Sequence, residues 1–123
     1  MRIAVSAKGG NDLYLTRTLK NATLVRATGE KELFKLFVNN QADAYANLKP
    51  GLLDRATQFP GSRIVEGSYT VIGYAAGVPK GRDAGARFVS EFIEYAKASG
   101  LVAKWIEQSG NRGLAVAPKA PGY

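Results

Sequence analysis

The segment that decides the fold lies at the start of the chain and reads Arg2-Ile-Ala-Val-Ser-Ala-Lys-Gly-Gly-Asn-Asp-Leu-Tyr-Leu-Thr-Arg-Thr-Leu19. Its apolar run Ile3–Val5 is typical of a buried parallel strand. The Lys8–Asp12 turn contains two glycines, which permit close backbone approach. A helix follows up to about Lys20, and we expect Asn11 or Asp12 to cap it. The order of strand, glycine-rich turn and helix predicts an α/β fold.

A helix N-terminus behind a glycine-rich turn can bind a small anion, because its free N–H groups and its dipole both favour negative charge. Lys8 would supply a counter-charge to a bound carboxylate or phosphate. Two alternatives stay open: the glycines only shape a tight turn, or Asp12 in the first helical turn already occupies the positive end. Neither nucleotide fingerprint, GxGxxG or GxxxxGK[ST], is present in the sequence.

Composition limits the chemistry that is open to this chain. Its 123 residues, 46% of them hydrophobic, suit one ordinary domain with a core. Because Cys and His are both absent, disulfides, a Ser-His-Asp triad, a Cys-His pair and a histidine-based zinc site are excluded. Carboxylate, lysine or tyrosine chemistry would remain, but no paired carboxylates lie at the predicted strand ends. We therefore expect no enzyme, no metal and no cofactor.

The formal net charge of +7 comes from basic residues scattered along the chain, without a run of three. A nucleic-acid surface would need a basic stripe with exposed aromatic residues, so we expect no nucleic-acid partner. No apolar run approaches the length that spans a membrane. No signal peptide follows Met1, which predicts a cytoplasmic location if Met1 is the true start.

The rest of the chain alternates between extended and helical patterns. We expect strands at Thr23–Ala27, Ala42–Asn47 and Arg63–Glu66, and helices from the N-cap Thr28 to Val38, from Pro50 to Gln58, from the cap Asp83 to Ser99, and over Leu101–Ser109. This alternation predicts a three-layer, doubly wound mixed sheet in the order 2-1-3-4, with Tyr69–Val78 as an additional antiparallel strand. Ligands in such sheets bind beyond the carboxyl ends of the strands. The loop Ser6–Asn11 and the strand end Tyr45–Asn47 should therefore be neighbours.

Four segments carry a resemblance to a known family: Ile3–Gly10, Asn40–Asn47, Tyr74–Gly81 and Gly100–Ile106. In this order they resemble the periplasmic solute-binding proteins of ABC importers, of the type II, amino-acid-binding class (family 3). Members of that family have two lobes with a ligand cleft between them. By this resemblance, residues 1–68 correspond to the second lobe. Residues 69–123 correspond to the returning strand and C-terminal helices, packed on the same domain or on a partner chain.

The resemblance also implies roles for residues. The backbone N–H groups of Gly9, Gly10 and Asn11 would hold a ligand carboxylate. Asn47 lies near the position at which members of the family often carry an acidic residue that binds a ligand ammonium. The candidate ligand-binding residues are Ser6, Lys8, Gly9, Gly10, Asn11, Tyr45 and Asn47, with packing as the alternative role for Tyr45. The implied partners are a carboxylate-bearing or polar solute and, if the chain is exported with a first lobe, the permease of an ABC transporter. The location that the resemblance implies for this chain is the periplasm.

The leading interpretation is a truncated solute-binding protein that binds a small anionic or polar solute weakly. The alternatives are a folded fragment without ligand function and, less favoured, an enzyme on the same fold. Without the first lobe, the C-terminal helices need another cover for their apolar faces, which carry Phe88, Val89, Phe92, Ile93, Val102, Trp105 and Ile106. We therefore expect a homodimer, which could exchange these helices between copies.

Overall fold

The chain has an α/β fold with five helices and a three-stranded parallel sheet, seen in a computed structural model that describes residues 1–123. Two units can be separated, Met1–Val71 and Ile72–Tyr123. The first contains β1 (Arg2–Ser6), α1 (Gly10–Thr18), β2 (Thr23–Ala27), α2 (Glu30–Val38), β3 (Ala44–Tyr45) and α3 (Lys49–Gln58). The second contains α4 (Asp83–Ala98) and α5 (Leu101–Ser109). None of the helices combines the length and apolar character needed to cross a membrane.

The sheet has the order β2-β1-β3, with β1 parallel to both neighbours. Ala4 pairs with Val25 on one side and with Tyr45 on the other. This confirms the predicted order for the first three strands, because short crossovers through α1 and α2 return the chain to the same sheet. All three strands therefore end at one edge of the sheet.

The predicted fourth strand at Arg63–Glu66 and the predicted antiparallel strand at Tyr69–Val78 are not formed. Val65, Val71 and Tyr74 are exposed instead. Strand propensity measures how well a side chain packs on a pleated surface, so a β-rich segment without a pairing partner stays irregular. Gly73 and Gly77 within the segment weaken a strand further. The sheet thus has three parallel strands and no antiparallel one.

Three predicted helix caps are also displaced. Asp83 is the first residue of α4, whose N-cap is Arg82, so Asp83 does not cap this helix. α1 begins at Gly10 with Gly9 as its N-cap, so neither Asn11 nor Asp12 caps it. α2 begins after Gly29, one residue beyond the predicted cap Thr28. Gly29 has a φ of 91°, a left-handed conformation that glycine adopts without a steric penalty.

The core lies on both faces of β1, whose side chains alternate between them. Ile3 and Val5 pack with Leu15 of α1 on one face, whereas Ala4 packs with Leu33 of α2 on the other. Val5 and Leu33 are the largest fully buried side chains. The strand is therefore covered by helices on both sides, as a doubly wound sheet requires.

A surface ion pair joins the start of β1 to the segment before β3. Arg2 donates to the Asp43 carboxylate from its backbone N–H (2.6 Å) and from its guanidinium (2.8 Å). The side-chain bond from Arg2, followed by the backbone bond, lowers the pKa of Asp43 to about 2. Both side chains are about half exposed, so the gain in stability is small.

This ion pair should give the N-terminal unit an acid-sensitive component of stability. The folded pKa lies below the ordinary value of about 3.9. The contribution is therefore complete above about pH 4 and is lost as the pH falls towards about 2. Asp43→Asn should remove this component. The free energy of unfolding, measured with urea, should therefore fall less steeply in the variant than in the wild type between about pH 5 and pH 2.5. An unchanged pH dependence in the variant would contradict this role.

In the C-terminal unit, α4 and α5 pack on each other and are joined by Gly100, which has the left-handed φ of 81° expected of a C′ glycine. The tail beyond α5 is docked on α4. The Lys97 ammonium donates to the Pro118 carbonyl (2.7 Å) and pairs with Glu94, which accepts from the Ala120 N–H. A cavity of about 280 Å³ lies between α4 and the tail, lined by Glu94, Lys97, Ala98, Val116, Ala117 and Lys119.

Candidate functional site

The N-terminus of α1 presents free backbone donors at the carboxyl end of β1. The Gly9 N–H turns back to the Ser6 carbonyl (3.2 Å), and the Gly9 carbonyl accepts the first helical bond from the Leu13 N–H (3.0 Å). The N–H groups of Gly10 and Asn11 have no acceptor within the chain, as expected for the first helical positions. These donors lie at the positive end of the helix dipole and can bind an anion.

Asp12 occupies only part of this positive end. Its buried carboxylate accepts from the Lys8 N–H (2.9 Å), the Thr16 hydroxyl (3.1 Å) and the Arg26 guanidinium (2.9 Å). The bond from Arg26, followed by that from Lys8, lowers the pKa of Asp12, so the carboxylate stays ionised. The helix thus supplies its own anion for the Lys8 N–H and leaves the donors of Gly10 and Asn11 unpaired.

The turn before α1 is held in a defined conformation. Lys8 has a φ of 61°, in the left-handed region, and its backbone is fixed there by Asp12. Its ammonium is exposed and forms no ion pair, so it is available to a bound anion. A Cβ on Gly9 would lie 3.3 Å from the Ser6 carbonyl oxygen, which is a tight contact. Gly9 therefore shapes the turn, and Ser6 stabilises the turn by accepting a hydrogen bond at its backbone carbonyl.

A second polar cluster lies at the carboxyl end of β3. The Tyr45 hydroxyl donates to Glu30 (2.7 Å), and the Asn47 amide donates to both the Tyr45 hydroxyl (2.8 Å) and Glu30 (3.1 Å). Burial, followed by the hydrogen bond to Glu30, raises the pKa of Tyr45 to about 12. The phenol is therefore a neutral donor at physiological pH. Gly51 leaves room for the Asn47 amide, since a Cβ there would come within 2.7 Å of its nitrogen.

Glu30 is the member of this cluster that sequence reasoning missed. In the sequence it is one of two acidic residues in the first turn of α2, where negative charge suits the helix dipole, and nothing nearby in the sequence gives it a further role. Its position could have been found from the crossover rule, because α2 begins just after β2 ends and all parallel strands end at one edge. A first-turn residue of α2 therefore lies beside the ends of the neighbouring strands.

The side chain of Asn11 is already engaged. Its carbonyl oxygen accepts from the Tyr69 hydroxyl (2.8 Å), and the Tyr69 ring lies 5.9 Å from that of Tyr14. Burial raises the pKa of Tyr69, so this phenol also remains a donor. Asn11 can therefore offer a ligand its backbone N–H but not its amide oxygen.

The two clusters lie at the ends of adjacent strands, because β3 pairs directly with β1 and the Ala46 N–H donates to the Ala4 carbonyl (2.9 Å). The structure brings Tyr45 and Asn47 into contact, and it groups Ser6, Lys8, Gly9, Gly10 and Asn11 in one turn. No hydrogen bond joins the first group to the second. No group of three or more acidic side chains that could hold a metal ion is present.

Comparisons with known proteins match no family model, no curated protein and no solved structure.

Proposed function

We propose that the N-terminal unit is a binding module for a small anionic or polar solute, similar to the second lobe of a periplasmic solute-binding protein. The observation that carries this proposal is the pair of unpaired N–H groups on Gly10 and Asn11, which follow directly on a turn that carries the exposed Lys8 without an ion pair. These groups lie at the carboxyl edge of a parallel sheet, which is where ligands bind in open α/β folds. Two N–H donors and one ammonium suit a carboxylate or a phosphate.

The second polar cluster extends the proposal to the other end of the solute. Tyr45 and Asn47 direct their donors at Glu30, so Glu30 is the exposed acceptor of this cluster. A solute that carries a hydrogen-bond donor beyond its carboxylate would be favoured there. In this proposal Tyr45 and Asn47 position Glu30. Periplasmic location and an ABC permease partner belong to the same proposal, for a protein in which a first lobe accompanies this chain.

We expect the isolated chain to bind such a solute only weakly. Ligand pockets bury about 70–90% of a ligand's surface, whereas an open sheet edge covers roughly half. The loss of several hydrogen bonds at about 1 kcal/mol each moves a micromolar affinity towards millimolar. Calorimetry with small carboxylates, phosphate and neutral polar solutes of matched size should give millimolar binding of the anions. Tight binding by a proven monomer would contradict the single-lobe interpretation.

A folded fragment without ligand function remains the second candidate. The favouring observation is that the side chains of Asn11, Tyr45 and Asn47 all have partners within the chain. Only backbone donors, Lys8 and Glu30 are then left for a solute. The same calorimetry separates the two candidates, because a fragment without function should show no saturable heat with any of the solutes.

A further inference from the structure

α4 has two apolar faces, and only one of them is covered. Of the predicted apolar set on the C-terminal helices, the half-buried members are Val89, Ile93, Val102 and Ile106, and the exposed members are Phe88, Phe92 and Trp105. Tyr95 is exposed as well. Spacings of four and three residues place Phe88, Phe92 and Tyr95 along one side of the helix. We call these three residues the aromatic stripe; 70%, 47% and 63% of their surfaces are exposed.

We propose that the aromatic stripe is the interface between two copies of this chain, whose α4 helices pair antiparallel about a two-fold axis. In this arrangement Phe88 of each copy lies opposite Phe92 of the other. The same register places Tyr95 of each copy opposite Gly85 of the other. The contact is self-complementary, as a two-fold interface must be.

Gly85 supports this register because nothing within the chain accounts for a glycine there. It lies in the first turn of α4, and its φ is not in the left-handed region. A Cβ at this position would meet other atoms only at 3.9 Å, which is ordinary contact. Glycine is less favourable in a helix than alanine, so its presence has a cost. Opposite Tyr95 of a second copy, the missing side chain leaves space for the ring against the backbone.

The charges beside the stripe are complementary in the same arrangement. Arg87 and Glu91 are exposed, and neither forms an ion pair within the chain. Both lie on one flank of the stripe, one helical turn apart. Antiparallel pairing brings this flank against its own copy, so Arg87 of one chain approaches Glu91 of the other. In a parallel pairing this flank would face the opposite flank of the other helix, so Arg87 and Glu91 would not meet.

The area available suits a dimer of modest affinity. Taken together, the exposed fractions of the three stripe residues equal nearly two whole aromatic residues. This corresponds to roughly 300–450 Å² of exposed surface per copy. Two copies would bury roughly 600–900 Å² from the rings alone, and the flanking side chains bring the total towards the roughly 1,200 Å² of small specific interfaces. We therefore expect association at micromolar to submillimolar concentrations.

Light scattering across this concentration range tests the proposal. The wild-type mass should rise from 13.2 kDa towards twice that value. Phe88→Asp should stay monomeric throughout, whereas Tyr74→Asp, which alters an aromatic residue that is 79% exposed outside α4, should dimerise like the wild type. A wild-type chain that stays monomeric, or equal losses in both variants, would overturn the proposal. Circular dichroism of each variant checks that the helices are retained.

Charge reversal tests the antiparallel register. Arg87→Glu and Glu91→Arg should each raise the dimer dissociation constant several-fold, because like charges then face each other. The double variant restores opposite charges across the axis and should recover most of the lost affinity. Gly85→Leu should block association while leaving α4 helical. A double variant no better than the single ones, or a Gly85→Leu chain that dimerises normally, would exclude this register.

Discussion

Replacing Leu33 with alanine is expected to destabilise the N-terminal unit by about 2–5 kcal/mol. Leu33 is 1% exposed and lies between α2 and β1, where it packs on Ala4 and Ala42. These small neighbours are fixed in or beside the sheet and cannot move to fill the space that the side chain leaves. A unit of this size has roughly 4–10 kcal/mol of total stability, so the change removes a large part of it.

Leu13→Ala is the matched control, because Leu13 lies on α1 with 53% of its surface exposed. Its loss should change the free energy of unfolding by no more than about 0.5 kcal/mol. Urea unfolding followed by circular dichroism measures both variants in the same buffer. Similar losses at Leu33 and Leu13 would contradict the placement of the core between α2 and the sheet.

Gly10→Pro is expected to weaken anion binding by roughly 10- to 100-fold while the fold is retained. Proline has no N–H, and it is accepted at the first position of a helix, where that group has no helical partner. Gly9 already has the extended φ and ψ of −77° and 168° that a residue before proline requires. The substitution therefore deletes one proposed donor without disturbing α1, and it should raise stability by up to about 1 kcal/mol.

Gly10→Ala isolates the role of the N–H group. Alanine and proline both add a Cβ at this position, but only alanine keeps the donor. Binding should therefore be weaker in the proline variant than in the alanine variant, and thermal unfolding should show both to be folded. If the two variants bind an anion equally, the Gly10 N–H is not a ligand-binding group.

The parts of the fold that depend on neighbouring residues were predictable from sequence. The run Ile3–Val5, the glycine-rich turn and the helical spacing of the later segments each fix a local structure. The order of β1 to β3 then follows from short crossovers between parallel strands. Gly100 was likewise recognisable as the end of α4, because a left-handed residue there favours glycine.

The parts that depend on distant partners were not predictable. Tyr69–Val78 has the composition of a strand, but a strand also needs an edge to pair with. Glu30 joins the candidate site only because Tyr45 and Asn47 reach it from another strand end. The stripe on α4 could not be separated from the packed face, because Phe88 and Val89 are both apolar and only contacts show which is covered.

Titration of the ¹⁵N-labelled chain with acetate or phosphate at constant ionic strength, followed by amide NMR, tests the central claim most directly. We expect the amide signals of Gly10 and Asn11 to shift together and saturably, with one dissociation constant of about 1 mM or somewhat higher. The Asn11 shift should be much smaller in Gly10→Pro. Amides of Gly10 and Asn11 that stay unmoved at anion concentrations of about 100 mM, well above that constant, would contradict the proposed site.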